Sequence, residues 1–143
     1  MNSNKNELMT EWCLLQNQFD SYEKHSLYIK LVSILVLLSA EISGFMGISL
    51  IFILFVLWGQ DAIWKTFQSR IEPRLFQIEK SISTDCSESA CQFNSEYNKV
   101  SLSSLALIME YARQSVRPTI AFPHVALIII MLTQYLLNIL QIS

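Results

Sequence analysis

Apolar residues along this chain fall into two patterns, and each predicts a different kind of helix. Residues 27–59 are apolar almost without break, interrupted by Lys30 and Glu41, and residues 119–142 carry no formal charge. Long apolar runs predict membrane-crossing helices, because a ~30 Å hydrocarbon core takes about 20 residues at ~1.5 Å each. The first run is too long for one crossing, since roughly 33 residues extend ~50 Å. Gly44 and Gly47 offer a turn in its middle. The run therefore predicts two short spans, 27–43 and 46–60, followed by a third over 119–142. One long tilted helix is the competing reading, and it inverts the polarity of everything after it. Pro118 and Pro123 fall in the first turns of the third span, where a missing N–H is tolerated and Pro123 is expected to kink the entry.

Between the spans the pattern changes from continuous to periodic. Leu8, Trp12, Leu15, Phe19 and Tyr22 recur at spacings of four and three, a heptad-like stripe of the coiled-coil kind that Ile29 continues. Trp64, Phe67, Ile71, Leu75, Ile78 and Ile82 form a second stripe, with Pro73 an expected kink or restart. Leu102, Leu105, Met109, Ala112 and Val116 form a third. These predict amphipathic helices over 1–26, 61–82 and 99–117, with a polar linker at 83–98. An amphipathic helix is stabilised mainly by burying its apolar face. The expected solution extends the spans into a bundle, with the hairpin arms antiparallel and the 99–117 helix covering their open side. The rival places such helices flat on lipid, but surface-lying helices are usually basic, and these carry as many acids as bases. The expected fold class is all-α: one helical membrane domain, 1–143, built as a transmembrane hairpin plus a third, C-terminal span.

Composition agrees with a bilayer as solvent. Hydrophobic residues make up 52% of the chain and charged ones only 15%, with a mean hydropathy of +0.36, whereas soluble domains carry about 25% charged residues. The net charge of −2 offers no basic stripe for nucleic acid. Lys and Arg are distributed unevenly. Lys5, Lys24 and Lys30 precede or begin the first span, seven more lie between the second and third, and the hairpin tip and C-terminal tail have none. The positive-inside rule then puts the N-terminus and the central segment in the cytoplasm and the C-terminus on the opposite side, in a plasma or bacterial inner membrane. Lys30, His124, Trp58 and Trp64 fall at the inner interface, with Tyr28 beside them. The start of the chain lacks the basic and small-residue features of a cleaved signal peptide. Cys13, Cys86 and Cys91 match no zinc or redox spacing and are expected to be reduced bystanders.

Polar residues inside the spans are the candidates for function. Gln134, Asn138 and Gln141 form a stripe at spacings of four and three on the third span. Amides in lipid hydrogen-bond across helices, so the plain reading is a clamp and the sharper one a polar pore lining. Glu41 is an acid near the outer side. Because the first and third spans run parallel, counting by depth puts Glu41 between Gln134 and Asn138, as their hydrogen-bond acceptor, and Lys30 near His124. The plain reading of Glu41 leaves it in headgroups, and that of His124 makes it a hydrogen-bond donor rather than a titrating gate. No HExxH, GxSxG, glycine-rich phosphate loop or ligand-spaced histidine pair is present. No catalytic, metal or cofactor site is therefore expected. The sequence predicts a non-enzymatic multi-pass membrane protein whose cytoplasmic helices bind a second copy or a soluble partner. The alternative is a homo-oligomeric pore or membrane-disrupting effector lined by Gln134, Asn138, Gln141 and Glu41.

Overall fold

The computed structural model describes residues 2–45, 47–84, 90–93 and 104–142. Among these the chain is all-α, with four helices: α1 (Asn2–Ile42), α2 (Ile48–Thr84), α3 (Ser104–Ser115) and α4 (Pro118–Ile142). Three of them, α1, α2 and α4, are long and apolar enough to cross a membrane. The apolar run 27–59 breaks at the glycines, not as a single helix. Gly44 takes the left-handed conformation, φ 66°. Its N–H bonds the Glu41 carbonyl at 3.1 Å, and that of Phe45 bonds the Ala40 carbonyl at 3.0 Å. This pair of hydrogen bonds is a Schellman cap, which satisfies carbonyls that a helix end otherwise leaves open.

Neither long helix stops at the edge of its apolar segment. α1 has 41 residues and α2 has 37, so each extends ~55–60 Å at ~1.5 Å per residue. The amphipathic stripes are thus continuations of the apolar segments. Leu8, Ile71, Leu75 and Ile78 are buried where the two arms pack, with Trp12, Phe19 and Tyr22 half-buried beside them. α2 passes through Pro73 without the expected restart. The flanking Ile71, Arg74 and Leu75 are all buried, and their packing outweighs the ~3 kcal/mol that a mid-helix proline opposes.

Leu37 and Ala40 of α1, Leu50 and Leu54 of α2, and Ile128 and Met131 of α4 form one buried cluster. It is the dry centre of a three-helix packing. Around it, side chains such as Leu35, Phe52, Val56, Ile129 and Leu136 face outward. Arg117 caps α4, its carbonyl accepting the N–H groups of Ile120 and Ala121 at 2.9 and 2.8 Å. Pro118 then occupies the first helical position, where its missing N–H is harmless. Pro123 stands deeper, inside the helix, at a position where an N–H would have a partner.

α3 differs from expectation. It runs antiparallel to α2, but its apolar stripe does not cover the hairpin: Leu105, Met109 and Val116 are 76%, 73% and 69% exposed. The side of α2 it meets is polar. Arg70 Nη2 bonds Glu110 Oε2 at 2.9 Å, and Gln114 Nε2 donates to Ser69 Oγ at 3.0 Å. These bonds fix the rotation of α3 and turn its apolar side outward. Leu102, most of the expected linker 83–98 and the beginning of the expected 99–117 helix lie outside the described residues.

Candidate functional site

A buried polar cluster sits at the end of the apolar core where α1, α2 and α4 meet. Its centre is Asp61 of α2, fully buried. Ser26 Oγ of α1 donates to Asp61 Oδ1. His124 Nε2 of α4 lies 3.2 Å from Oδ2, and Lys30 Nζ lies 3.7 Å from the same oxygen. Lys30 also donates to Ser26 Oγ at 3.2 Å. One carboxylate thus holds the other two helices together. A buried ion is tolerated only when paired and hydrogen-bonded, and Asp61 meets both conditions. Lys30 keeps 21% of its side chain exposed, so its cation retains solvent on one side.

The local chain explains why these four groups converge. On α1, Ser26, Lys30 and Ser33 are spaced by four and three, which keeps them on one face. Ser33 is fully buried, its hydroxyl bonded to the Ile29 carbonyl at 2.8 Å. On α4, His124 is 1% exposed. The Trp58 ring stacks over it, with centroids 6.3 Å apart and planes 14° apart. The Trp58 indole N–H donates to the Ser115 carbonyl at 3.0 Å, so it also ties α2 to the end of α3. The other ring nitrogen of His124, Nδ1, is buried with no hydrogen-bond partner among the described residues.

A second polar contact lies at the opposite end of the core. Gln134 Nε2 of α4 donates to Glu41 Oε1 of α1 at 2.7 Å. Gln134 Oε1 is buried with no partner. The apolar cluster therefore sits between two polar layers, Ser26–Lys30–Asp61–His124 on one side and Glu41–Gln134 on the other. Eleven residues of α1 separate Lys30 from Glu41, or ~16 Å.

The candidate residues read from sequence distribute as follows. Lys30 and His124 meet through Asp61, with Trp58 against the imidazole. Glu41 and Gln134 meet directly. Asn138 is exposed, away from Glu41's hydrogen bond, and the side chain of Gln141 lies outside the described residues. Trp64 belongs to a different group: it stacks on His25 at 4.8 Å and packs against Tyr22 at 5.5 Å. Sequence reasoning missed Asp61 and Ser26. The signal was available, because Lys30 stands fifteen residues before Phe45 and Asp61 sixteen after it. Folding the chain at that turn places them opposite each other.

A further buried pair lies among the amphipathic extensions. Arg74 of α2 meets Glu11 of α1 in a two-bond fork at 3.0 and 3.1 Å, with both side chains at most 7% exposed. The Cys91 N–H adds a bond to the same carboxylate at 2.8 Å. Cys13 and Cys91 are exposed free thiols, and Cys86 is outside the described residues. Among the described residues, no group of three His, Cys, Asp or Glu side chains is placed to hold a metal ion. What the arrangement does chemically is fasten helices by charge-assisted hydrogen bonds. Comparison with protein-family models, curated proteins and solved structures finds no match to this chain.

Proposed function

We propose that this protein is a non-enzymatic multi-pass membrane anchor that holds a cytoplasmic helical bundle rigidly on its spans. In this reading α1, α2 and α4 cross the bilayer, and the extensions of α1 and α2 stand in the cytoplasm with α3. The C-terminus lies on the other side. The observation that carries it is the Asp61 cluster, in which polar side chains of three helices find partners within one subunit. The Glu41–Gln134 bond supports the same reading, because it engages part of the amide stripe that a pore would turn toward water. Since α1 and α2 run unbroken through the Asp61 layer, a contact made in the bundle is mechanically continuous with the spans. The bundle acts by contact with a second copy or a soluble protein.

One observation favours a second reading. Asn138 is exposed among exposed Leu136, Leu137, Ile139 and Leu140, and an amide on such a surface commonly bonds to another helix. A homo-oligomeric pore built around Asn138 is the resulting alternative. Reconstitution into liposomes separates the two. The anchor reading expects no ion flux above empty vesicles at any protein density. Flux that rises with density and disappears in Asn138→Leu replaces the anchor with the pore.

A further inference from the structure

The strongest unassigned feature is a cleft of about 230 Å³ between α1, α2 and the start of α4. Glu23, Lys65, Gln68, Glu72, Arg117 and Thr119 are among the residues that line it. We propose that this cleft binds a phosphoethanolamine group, as presented by the headgroup of a phosphatidylethanolamine lipid. Three observations lead to that chemistry.

The first is depth. Lys65 lies four residues beyond Asp61, and Arg117 lies seven before His124. At ~1.5 Å per residue, both stand ~6–10 Å outside the Asp61 layer. Polar headgroup regions add about 5–8 Å to each side of the hydrocarbon core, so on the membrane reading above the inner end of the cleft, at Lys65, opens at headgroup level.

The second is charge. The lining carries two cations, Lys65 and Arg117, and two carboxylates, Glu23 and Glu72. A formally neutral lining suits a zwitterion better than an anionic phosphate alone. Lys65 is partly committed, 3.8 Å from Glu23 and donating to Gln68 Oε1 at 2.8 Å. Arg117 and Glu72 form no ion pair among the described residues, and both are exposed.

The third is the order of the charges along the membrane normal. Lys65, with Glu23 beside it, and Arg117 stand ~6–10 Å outside the Asp61 layer, and Glu72, seven residues beyond Lys65 on α2, stands ~16 Å outside it. Along its covalent chain a phospholipid headgroup has the same order, with its phosphate next to the glycerol and its amine beyond. The phosphate then meets Arg117 and Lys65, with the Thr119 hydroxyl as a further donor, and the ammonium meets Glu72. A primary ammonium donates hydrogen bonds to a carboxylate and a quaternary one does not, so phosphatidylcholine binds more weakly.

The test uses the full chain in mild detergent, with native mass spectrometry counting retained lipids. Phosphatidylethanolamine, phosphatidylcholine and phosphatidylglycerol of identical acyl chains are supplied in equal amounts. Wild type should retain phosphatidylethanolamine about fivefold over either of the others. Arg117→Ala should lower that retention about fivefold, and Glu72→Gln should erase the preference over phosphatidylglycerol. Both side chains are exposed, and an unchanged melting temperature for each variant ensures that a loss of lipid is not a loss of fold. Soluble phosphoethanolamine forms a separate arm. If it binds wild type with the same sensitivity to Arg117→Ala while no lipid is retained, the chemistry stands and the lipid source is wrong. Equal retention of all three lipids, or retention unaffected by both substitutions, overturns the site.

Discussion

Asp61→Asn keeps the shape of the side chain and removes its charge, so it isolates what the carboxylate does. Ser26 and His124 can still approach the amide, and Lys30, 21% exposed, can turn its ammonium toward water. The expected loss is therefore that of hydrogen bonds to a charged group, about 1.5–3 kcal/mol. Glu11→Ala is different. It takes the two-bond carboxylate from the Arg74 guanidinium, 5% exposed, which keeps its bond to Gln77 Oε1, and truncating one partner of a buried pair costs about 3–5 kcal/mol. Unfolding in detergent should therefore place Glu11→Ala below Asp61→Asn in stability, although Glu11 lies far from the apolar spans. The reverse order would mean that the Asp61 cluster, not the extended bundle, is the more tightly held. How far each group was legible follows the same division. Lys30 and His124 could be matched by depth, because both lie on helices running in the same direction. Asp61 needs the hairpin folded first, and Glu11 with Arg74 needs it folded along some thirty residues on either side of the turn.

Helices in this chain are easier to read than the faces they present. The ends of α1 and α2 follow from the glycines, and a pair of substitutions separates two uses of that residue. Gly44, at φ +66°, has open space around an added Cβ, so Gly44→Ala meets strain and not collision. The left-handed conformation costs an alanine about 1–2 kcal/mol, and the variant should melt lower. Gly59 lies inside α2 with nothing within 4 Å of an added Cβ, so Gly59→Ala should raise stability by about 0.5–1 kcal/mol. Thermal unfolding of the two variants in the same detergent should give shifts of opposite sign, and shifts of equal sign contradict the cap at Gly44. α3 shows where periodicity stops being informative. The spacing of Leu105, Met109, Ala112 and Val116 says which residues share a side, but not which side the neighbouring helix selects. That selection rests on Ser69 and Arg70, which meet Gln114 and Glu110 in a register that no pattern within α3 contains.

At the scale of the whole molecule, two polar layers bracket an apolar core while the surrounding surface stays apolar. In water, exposed Leu35, Phe52, Val56, Ile129 and Leu136 would form a patch far larger than soluble monomers carry. A bilayer removes that penalty and fixes which groups must meet inside. On the proposed membrane reading, the same arrangement predicts the polarity. Lys30, Lys65, Arg70, Arg74, Arg113 and Arg117 all lie at or beyond the Asp61 layer, and residues 31–64 and 118–143 contain no Lys or Arg. A cation excess on one side of short spans keeps that side in the cytoplasm. On the membrane reading proposed above, the Glu41–Gln134 end faces out, with Cys13 inside and position 143 outside. Intact cells treated with a membrane-impermeant maleimide test this directly. Cys13, kept as the sole cysteine, should react only after permeabilisation. Ser143→Cys, in a chain otherwise free of cysteine, should react before it. Labelling of both positions from the same side requires an even number of crossings, and the packing of α4 into the hairpin at Asp61 would then have to be rebuilt around a helix that does not span.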